Sequence, residues 1–119
     1  MIENEKISYI EFPTRDIGLT KKFFSAVFNW AFEDYGPEYT VVTNAGVNAG
    51  FYKSEQRSLV ASGSVLVVIY CSELKPTQNK IKQAGGAIVR PTFSFPGGYR
   101  FHFTDLNGNE YAAWSEIDA

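Results

Sequence analysis

The sequence predicts an α+β domain built from two consecutive βαβββ modules, about residues 5–55 and 63–116. Three observations carry that prediction. The chain slides onto itself so that Asp16-Ile17 meets Glu73-Leu74 and Ala31-Phe32 meets Ile88-Val89, superposing strand, acidic helix start, helix and second strand. Each half holds one helical stretch followed by three short β-like runs. Ten Phe, seven Tyr and two Trp make up 16% of the residues, more than a small helical bundle needs and enough to fill a core and line a cavity.

The first half opens with an apolar-rich run over residues 7–12, closed by Pro13, which cannot continue a central ladder. Alternation puts Ile7, Tyr9 and Glu11 on one face and Ser8, Ile10 and Phe12 on the other. Residues 17–30 then carry Leu19, Phe23, Phe24, Val27 and Phe28 at helical spacing, with Lys21 and Lys22 turned outward and Asp16 placed to cap the start. Three short strands follow at 31–35, 39–43 and 47–52, separated by Gly36-Pro37 and Asn44-Ala45-Gly46. Residues 53–63 are polar and read as a surface loop.

The second half begins with the β-branched run 65–71, then a helix over 75–83 with Pro76 in its first turn and Gly85-Gly86 as its stop. Strands are expected at 87–93, 99–104 and 109–115, the last two joined by a hairpin loop at 105–108. That loop pairs Thr104 with Glu110, His102 with Ala112 and Arg100 with Trp114, all on one face, while Phe101, Phe103, Tyr111 and Ala113 turn toward a helix.

At 119 residues and 45% hydrophobic side chains the chain has material for one core, so 1–119 is expected to be a single domain. Eleven basic and 13 acidic residues give a net charge of −2, with no basic footprint for nucleic acid or an anionic membrane surface. The longest apolar run falls far short of the roughly 20 residues that cross a bilayer. The opening residues lack a secretory pattern and Cys71 has no second cysteine to pair with, so the expected location is the cytoplasm. No phosphate loop, paired Cys/His zinc spacing or Ser-His-Asp pattern is present.

The lead-in YIEFPTRD, the helix ending VFNW and the closing FHFTDLNGNEYAAW, set in a paired βαβββ order, resemble the vicinal oxygen chelate superfamily of glyoxalase I, bleomycin-resistance proteins and extradiol dioxygenases. The resemblance spans about residues 5–116. It implies a curved, open mixed sheet around a cup-shaped pocket with helices on the outer face, a small-molecule ligand or substrate, and a homodimer. It also implies a divalent metal in the metal-dependent members, held by His, Gln or Glu on the first strand of each module and Glu on a last strand. In this sequence those positions fall on Tyr9, Leu66, Ala112 and the neighbourhood of Ala49-Gly50, which supply at most one weak donor. No metal and no other cofactor is therefore expected.

Fold alone does not select among the activities this family hosts. The cup-facing strands offer His102, Glu11 and Glu110 as candidate acid-base residues, with His102 either a general base or a ring bonded to Glu110 as part of the structure. Tyr9, Phe51, Tyr70, Arg100 and Trp114 are the candidate ligand-binding residues, with Tyr39 a further stacking surface. Arg100 or His102 would serve to neutralise Glu11. The turn at residues 95–99 is either a gate or a plain connection. Three functions remain open: a metal-free protein binding a small apolar or aromatic molecule; a lyase or isomerase using Glu11, His102 and Glu110, with or without a non-standard divalent metal; and a non-catalytic dimerisation module.

Overall fold

A computed structural model describes residues 2–119. The first module runs β1 (Ile10–Thr14), α1 (Ile17–Phe28), β2 (Phe32–Asp34), β3 (Tyr39–Val42) and β4 (Ala49–Lys53). The second runs β5 (Val67–Tyr70), α2 (Leu74–Gln83), β6 (Ala87–Phe95), β7 (Gly98–Thr104) and β8 (Glu110–Ser115). The repeated βαβββ order predicted from the sequence is the order found. The strands form two four-stranded mixed sheets, β1-β4-β3-β2 and β5-β8-β7-β6, each with one parallel pair, β1/β4 and β5/β8.

Local chemistry accounts for most boundaries. Asp16 is extended and its Oδ1 accepts from Leu19 N at 3.0 Å, which fixes the start of α1. The helix ends at Asn29, whose left-handed φ of 58° turns the chain toward β2. Glu73 occupies the matching place before α2, but its side chain makes no capping bond; Leu74 N and Lys75 N donate instead to Ala119 O. Pro13, expected to close β1, lies inside it. β1 pairs only with β4, so a missing N–H on the free edge costs no ladder bond, and the Pro13 carbonyl on that edge accepts from Asn109 Nδ2 at 2.6 Å. The connection between modules, expected as plain loop, contains a short 3-10 turn at Val60–Ser62.

One aromatic core serves both sheets. Phe23, Phe24 and Val27 of α1 are buried with Phe51 of the first sheet and with Phe101, Phe103, Tyr111 and Ala113 of the second. The Phe24 ring lies 6.0 Å from Phe51 and 5.2 Å from Tyr111, so a single side chain bridges the two modules. Each fully buried ring contributes about 1.5–3 kcal/mol relative to exposure. The hairpin register is the predicted one, Thr104 opposite Glu110, His102 opposite Ala112 and Arg100 opposite Trp114. Because successive residues alternate, the faces turned away from this core carry Tyr9, Glu11, Tyr39 and Gly50 on one sheet and Arg100, His102, Ala112 and Trp114 on the other.

The β7–β8 loop fastens the modules together. Asp105 Oδ1 accepts from Asn107 N at 2.9 Å and Asn109 N at 3.0 Å, and Oδ2 accepts from the Tyr111 hydroxyl at 2.9 Å. So shaped, the loop presents two buried amides to the other module. Asn107 accepts from Asp16 N and donates to Asp16 O and Thr20 Oγ1. Asn109 donates to Pro13 O and accepts from Ser58 N. Removing either amide strands buried backbone groups. Asn107→Ala and Asn109→Ala are each expected to lower unfolding free energy by about 2–4 kcal/mol in urea denaturation; a loss below about 0.5 kcal/mol, the usual surface effect, would contradict the assignment.

Burial raises the Asp105 carboxyl above its ordinary 3.8, against the pull of Tyr111 and the backbone donors. The folded state therefore holds this proton more tightly than the unfolded chain. Stability contributed by the group is present below 3.8 and declines as pH rises through the interval up to the raised folded value. Asp105→Asn, which keeps an acceptor for the two N–H groups, is expected to gain stability relative to the parent as pH increases across that interval. Parallel pH dependences would show that Asp105 is ionised throughout.

Candidate functional site

On the first sheet, Glu11, Gly50, Val41 and Glu33 form one row across β1, β4, β3 and β2, with their side chains on the face away from the core. The Tyr39 hydroxyl donates to Glu11 Oε2 at 2.8 Å, and Tyr9 and Tyr39 share a hydroxyl hydrogen bond of 2.6 Å. Both hydroxyls lie directly over Gly50, where a Cβ would overlap them. The result is a chain of polar groups, Tyr9 to Tyr39 to Glu11, resting on bare backbone. Burial first, then the bonds to Tyr9 and Glu11, holds the Tyr39 proton well above its ordinary range. A cleft of about 290 Å³ beside Glu11 is bordered by Pro13, Tyr52, Arg57 and Val65.

On the second sheet the corresponding row is Val68, Ala112, His102 and Arg90, and the next is Tyr70, Trp114, Arg100 and Phe93. His102 is 3% exposed and Ala112 is fully buried, because the connecting segment lies over this end of the sheet. That segment is anchored by Glu110 N to Ser58 O at 2.7 Å and by Val60 N to Glu110 Oε1 at 3.1 Å. Glu110 Oε2 meets His102 Nδ1 at 2.8 Å, while His102 Nε2 and Arg100 Nε are buried with no hydrogen-bond partner. Tyr70 and Trp114 meet edge to face at 5.1 Å, and Phe95 lies 6.2 Å from Trp114.

Of the residues singled out in the sequence, Tyr9 and Glu11 come together on one sheet, and His102, Glu110, Arg100, Tyr70 and Trp114 share a face of the other. Phe51 is corrected: it is 0% exposed and stacked on Phe12 at 4.8 Å, because β4 turns Ala49 and Phe51 inward and only Gly50 and Tyr52 outward. The expected neutralisation of Glu11 by Arg100 or His102 is also replaced, since Glu11 bonds Tyr39 and His102 bonds Glu110. The turn after β6 is a tight hairpin with Phe95 opposite Gly98. Burial raises the Cys71 thiol above its ordinary range, as fits an inert side chain.

Arg90 and Phe93 were not legible in the sequence. Two β-bulges in β6, between Ile88 and Arg90 and between Arg90 and Phe93, reverse the alternation twice and bring Arg90 onto the face of Arg100 and His102. No composition or spacing signal marks such an insertion.

The positions where the family resemblance puts metal donors do not fit a divalent ion. Tyr9 is tied to Tyr39, Gly50 has no side chain, and Ala112 offers only a buried methyl. Leu66 lines an apolar cleft of about 300 Å³ with Ile10, Phe12 and Trp30. Among the described residues no three His, Cys, Asp or Glu side chains form a group able to hold a metal. No described helix is long and apolar enough to cross a membrane.

Solved structures share this fold at low identity. A hypothetical protein from S. aureus matches with TM-score 0.75 and 16% identity over 95% of this chain and 99% of its own. A glyoxalase-related enzyme from Fulvimarina pelagi matches with TM-score 0.75 and 17% identity, over 96% and 88% of the two chains. A mutant of the fosfomycin resistance protein FosX from Listeria monocytogenes, complexed with Mn(II) and a dihydroxypropylphosphonic acid, matches with TM-score 0.75 and 17% identity over 97% and 91%. No curated protein sequence matches the chain. The Glyoxalase/Bleomycin resistance protein/Dioxygenase superfamily model matches residues 6–112, nearly the whole chain, and the protein belongs to that superfamily.

Proposed function

We propose that this chain is a metal-independent member of its superfamily that binds a small apolar or aromatic molecule, and that it does so as a homodimer. The observation that carries the first part is the hydrogen-bonded chain Tyr9–Tyr39–Glu11 over Gly50, together with the buried methyl of Ala112. Glu11 is the one carboxylate among these groups and its Oε2 accepts from Tyr39, so they offer hydrogen bonds and apolar surface in place of a converging set of imidazole and carboxylate donors. Tyr9 and Tyr39 on one sheet, and Tyr70, Arg100 and Trp114 on the other, supply the flat faces such a ligand needs.

The dimer reading rests on edges and charge. β1 and β5 each end a sheet with no strand on the outer side, the β1 edge being engaged at Pro13 O by Asn109. Ile7, Val47, Val65 and Val68 at or beside these edges are exposed. A second copy seated on these exposed side chains would bury them, and the acidic Glu11 and Glu33 face and the basic Arg90 and Arg100 face offer opposite charges for pairing across a shared cup.

A second reading, as a lyase or isomerase, has one observation in its favour. Glu110 fixes His102 through Nδ1 and leaves Nε2 without a partner, which is how an oriented base is held. Glu11 would then be the second acid-base group. A non-standard metal site on His102 and Glu110 is disfavoured, because both Glu110 oxygens are already engaged.

Two measurements test the leading reading. Protein purified without chelator is expected to carry far less than one equivalent of zinc, nickel, manganese or iron by elemental analysis, and its melting temperature should not move with micromolar additions of these ions. A stoichiometric metal would overturn it. Sedimentation equilibrium should give twice the monomer mass, and Val65→Lys should shift it toward the monomer; a monomeric parent protein rejects the shared cup.

A further inference from the structure

We infer that the ligand carries an oxyanion, and that Arg90 and Arg100, on the outer face of the second sheet, receive it. The inference rests on the proposed binding role of that face and names the ligand's chemistry. Both guanidiniums lie against one ring: Arg90 Cζ is 3.7 Å from the Phe93 centroid and Arg100 Cζ is 5.2 Å from it. Arg100 Cζ is also 5.6 Å from the Phe95 centroid. Ring faces hold a guanidinium in place without consuming its hydrogen-bond donors.

The two charges are left unneutralised. Among the described residues the one Lys/Arg to Asp/Glu ion pair is Lys21–Asp34, and Glu110 is hydrogen-bonded to His102, so neither contact involves an arginine. Glu110, the carboxylate on this face of β8, has both oxygens occupied by His102 Nδ1 and Val60 N. Arg100 Nε is buried without a partner in the row of Phe93 and Trp114. An unsatisfied nitrogen of this kind costs free energy unless a bound group pairs with it. A guanidinium presents two parallel donors that match a carboxylate or phosphate edge.

The bulges make this arrangement specific. Without them regular alternation would place Arg90 on the face of Ile88, toward the core; with them it joins Phe93, Arg100 and His102. Around the guanidiniums stand Phe93, Phe95, Tyr70 and Trp114, so the oxyanion is carried on a flat apolar frame. An aromatic carboxylate and an aryl phosphate share that chemistry.

Naphthalenecarboxylate, its neutral methyl ester and naphthyl phosphate separate the possibilities, with binding read by naphthalene fluorescence and calorimetry. The anions are expected to bind about tenfold or more tighter than the ester. Arg90→Gln and Arg100→Gln should each remove most of that preference and leave ester binding in place. Tighter binding of the phosphate or of the carboxylate supports the proposal with that oxyanion as the preferred one. Arg90 is exposed, so its variant keeps the fold and the test stands even if the Arg100 variant is unstable. If the ester binds as well as the anions, the oxyanion assignment fails while the apolar-ligand reading survives. Anion preference retained in both variants also overturns the assignment. Binding of none of the three compounds overturns it together with the reading beneath it.

Discussion

The docking of the β7–β8 loop onto the β1–α1 turn is the constraint on which the rest of the structure depends. Asn107 and Asn109 are both buried and reach across to Asp16, Thr20, Pro13 and Ser58. A buried amide tolerates no slip, because a displacement of one residue leaves several polar groups unpaired at once. This fixes how the two modules sit against each other. Once that is set, Phe24 can bridge Phe51 and Tyr111, and the inner faces of both sheets become one core. The outer faces then follow from alternation along the strands, broken in β6 by the two bulges that turn Arg90 outward.

Those two outer faces share an architecture but differ in chemistry. Equivalent rows carry Glu11, Gly50, Val41 and Glu33 in the first module and Val68, Ala112, His102 and Arg90 in the second. One is acidic and tyrosine-rich, the other basic and walled by Phe, Tyr and Trp. At the centre of each row stands the smallest side chain available, glycine or alanine. Over Gly50 the vacated space is filled by the Tyr9 and Tyr39 hydroxyls; beside Ala112 it is closed by His102 and the connecting segment. In the metal-independent reading proposed above, the family scaffold keeps its strands and carries hydrogen bonds and aromatic surface at these positions in place of coordination chemistry.

Much of this was readable from residue order, for identifiable reasons. The module repeat, the Asp16 cap and the β7–β8 register depend on local periodicity and turn chemistry, which sequence expresses directly. The pairing of Arg100 with Trp114 and His102 with Ala112 needed only the loop length. What escaped depends on partners distant in sequence or on irregular backbone. Phe51 lies beside a glycine in a short strand, and its face could not be set without knowing that Gly50 must lie beneath two tyrosines. Arg90 was invisible because two bulges shift its parity. Glu73 lost its expected cap because Ala119 O takes the helix N–H groups instead. Pro13 sits within β1 because that edge faces Asn109 in place of another strand.

The most direct test of the exchange at Gly50 and Ala112 is a titration of ¹⁵N-labelled protein with sub-stoichiometric Mn(II), following paramagnetic broadening of each backbone amide. Amides of Tyr9, Gly50, Leu66 and Ala112 are expected to broaden no more than those of exposed surface residues. Selective loss of those four signals at low Mn(II) would place an ion at the family position and contradict metal independence.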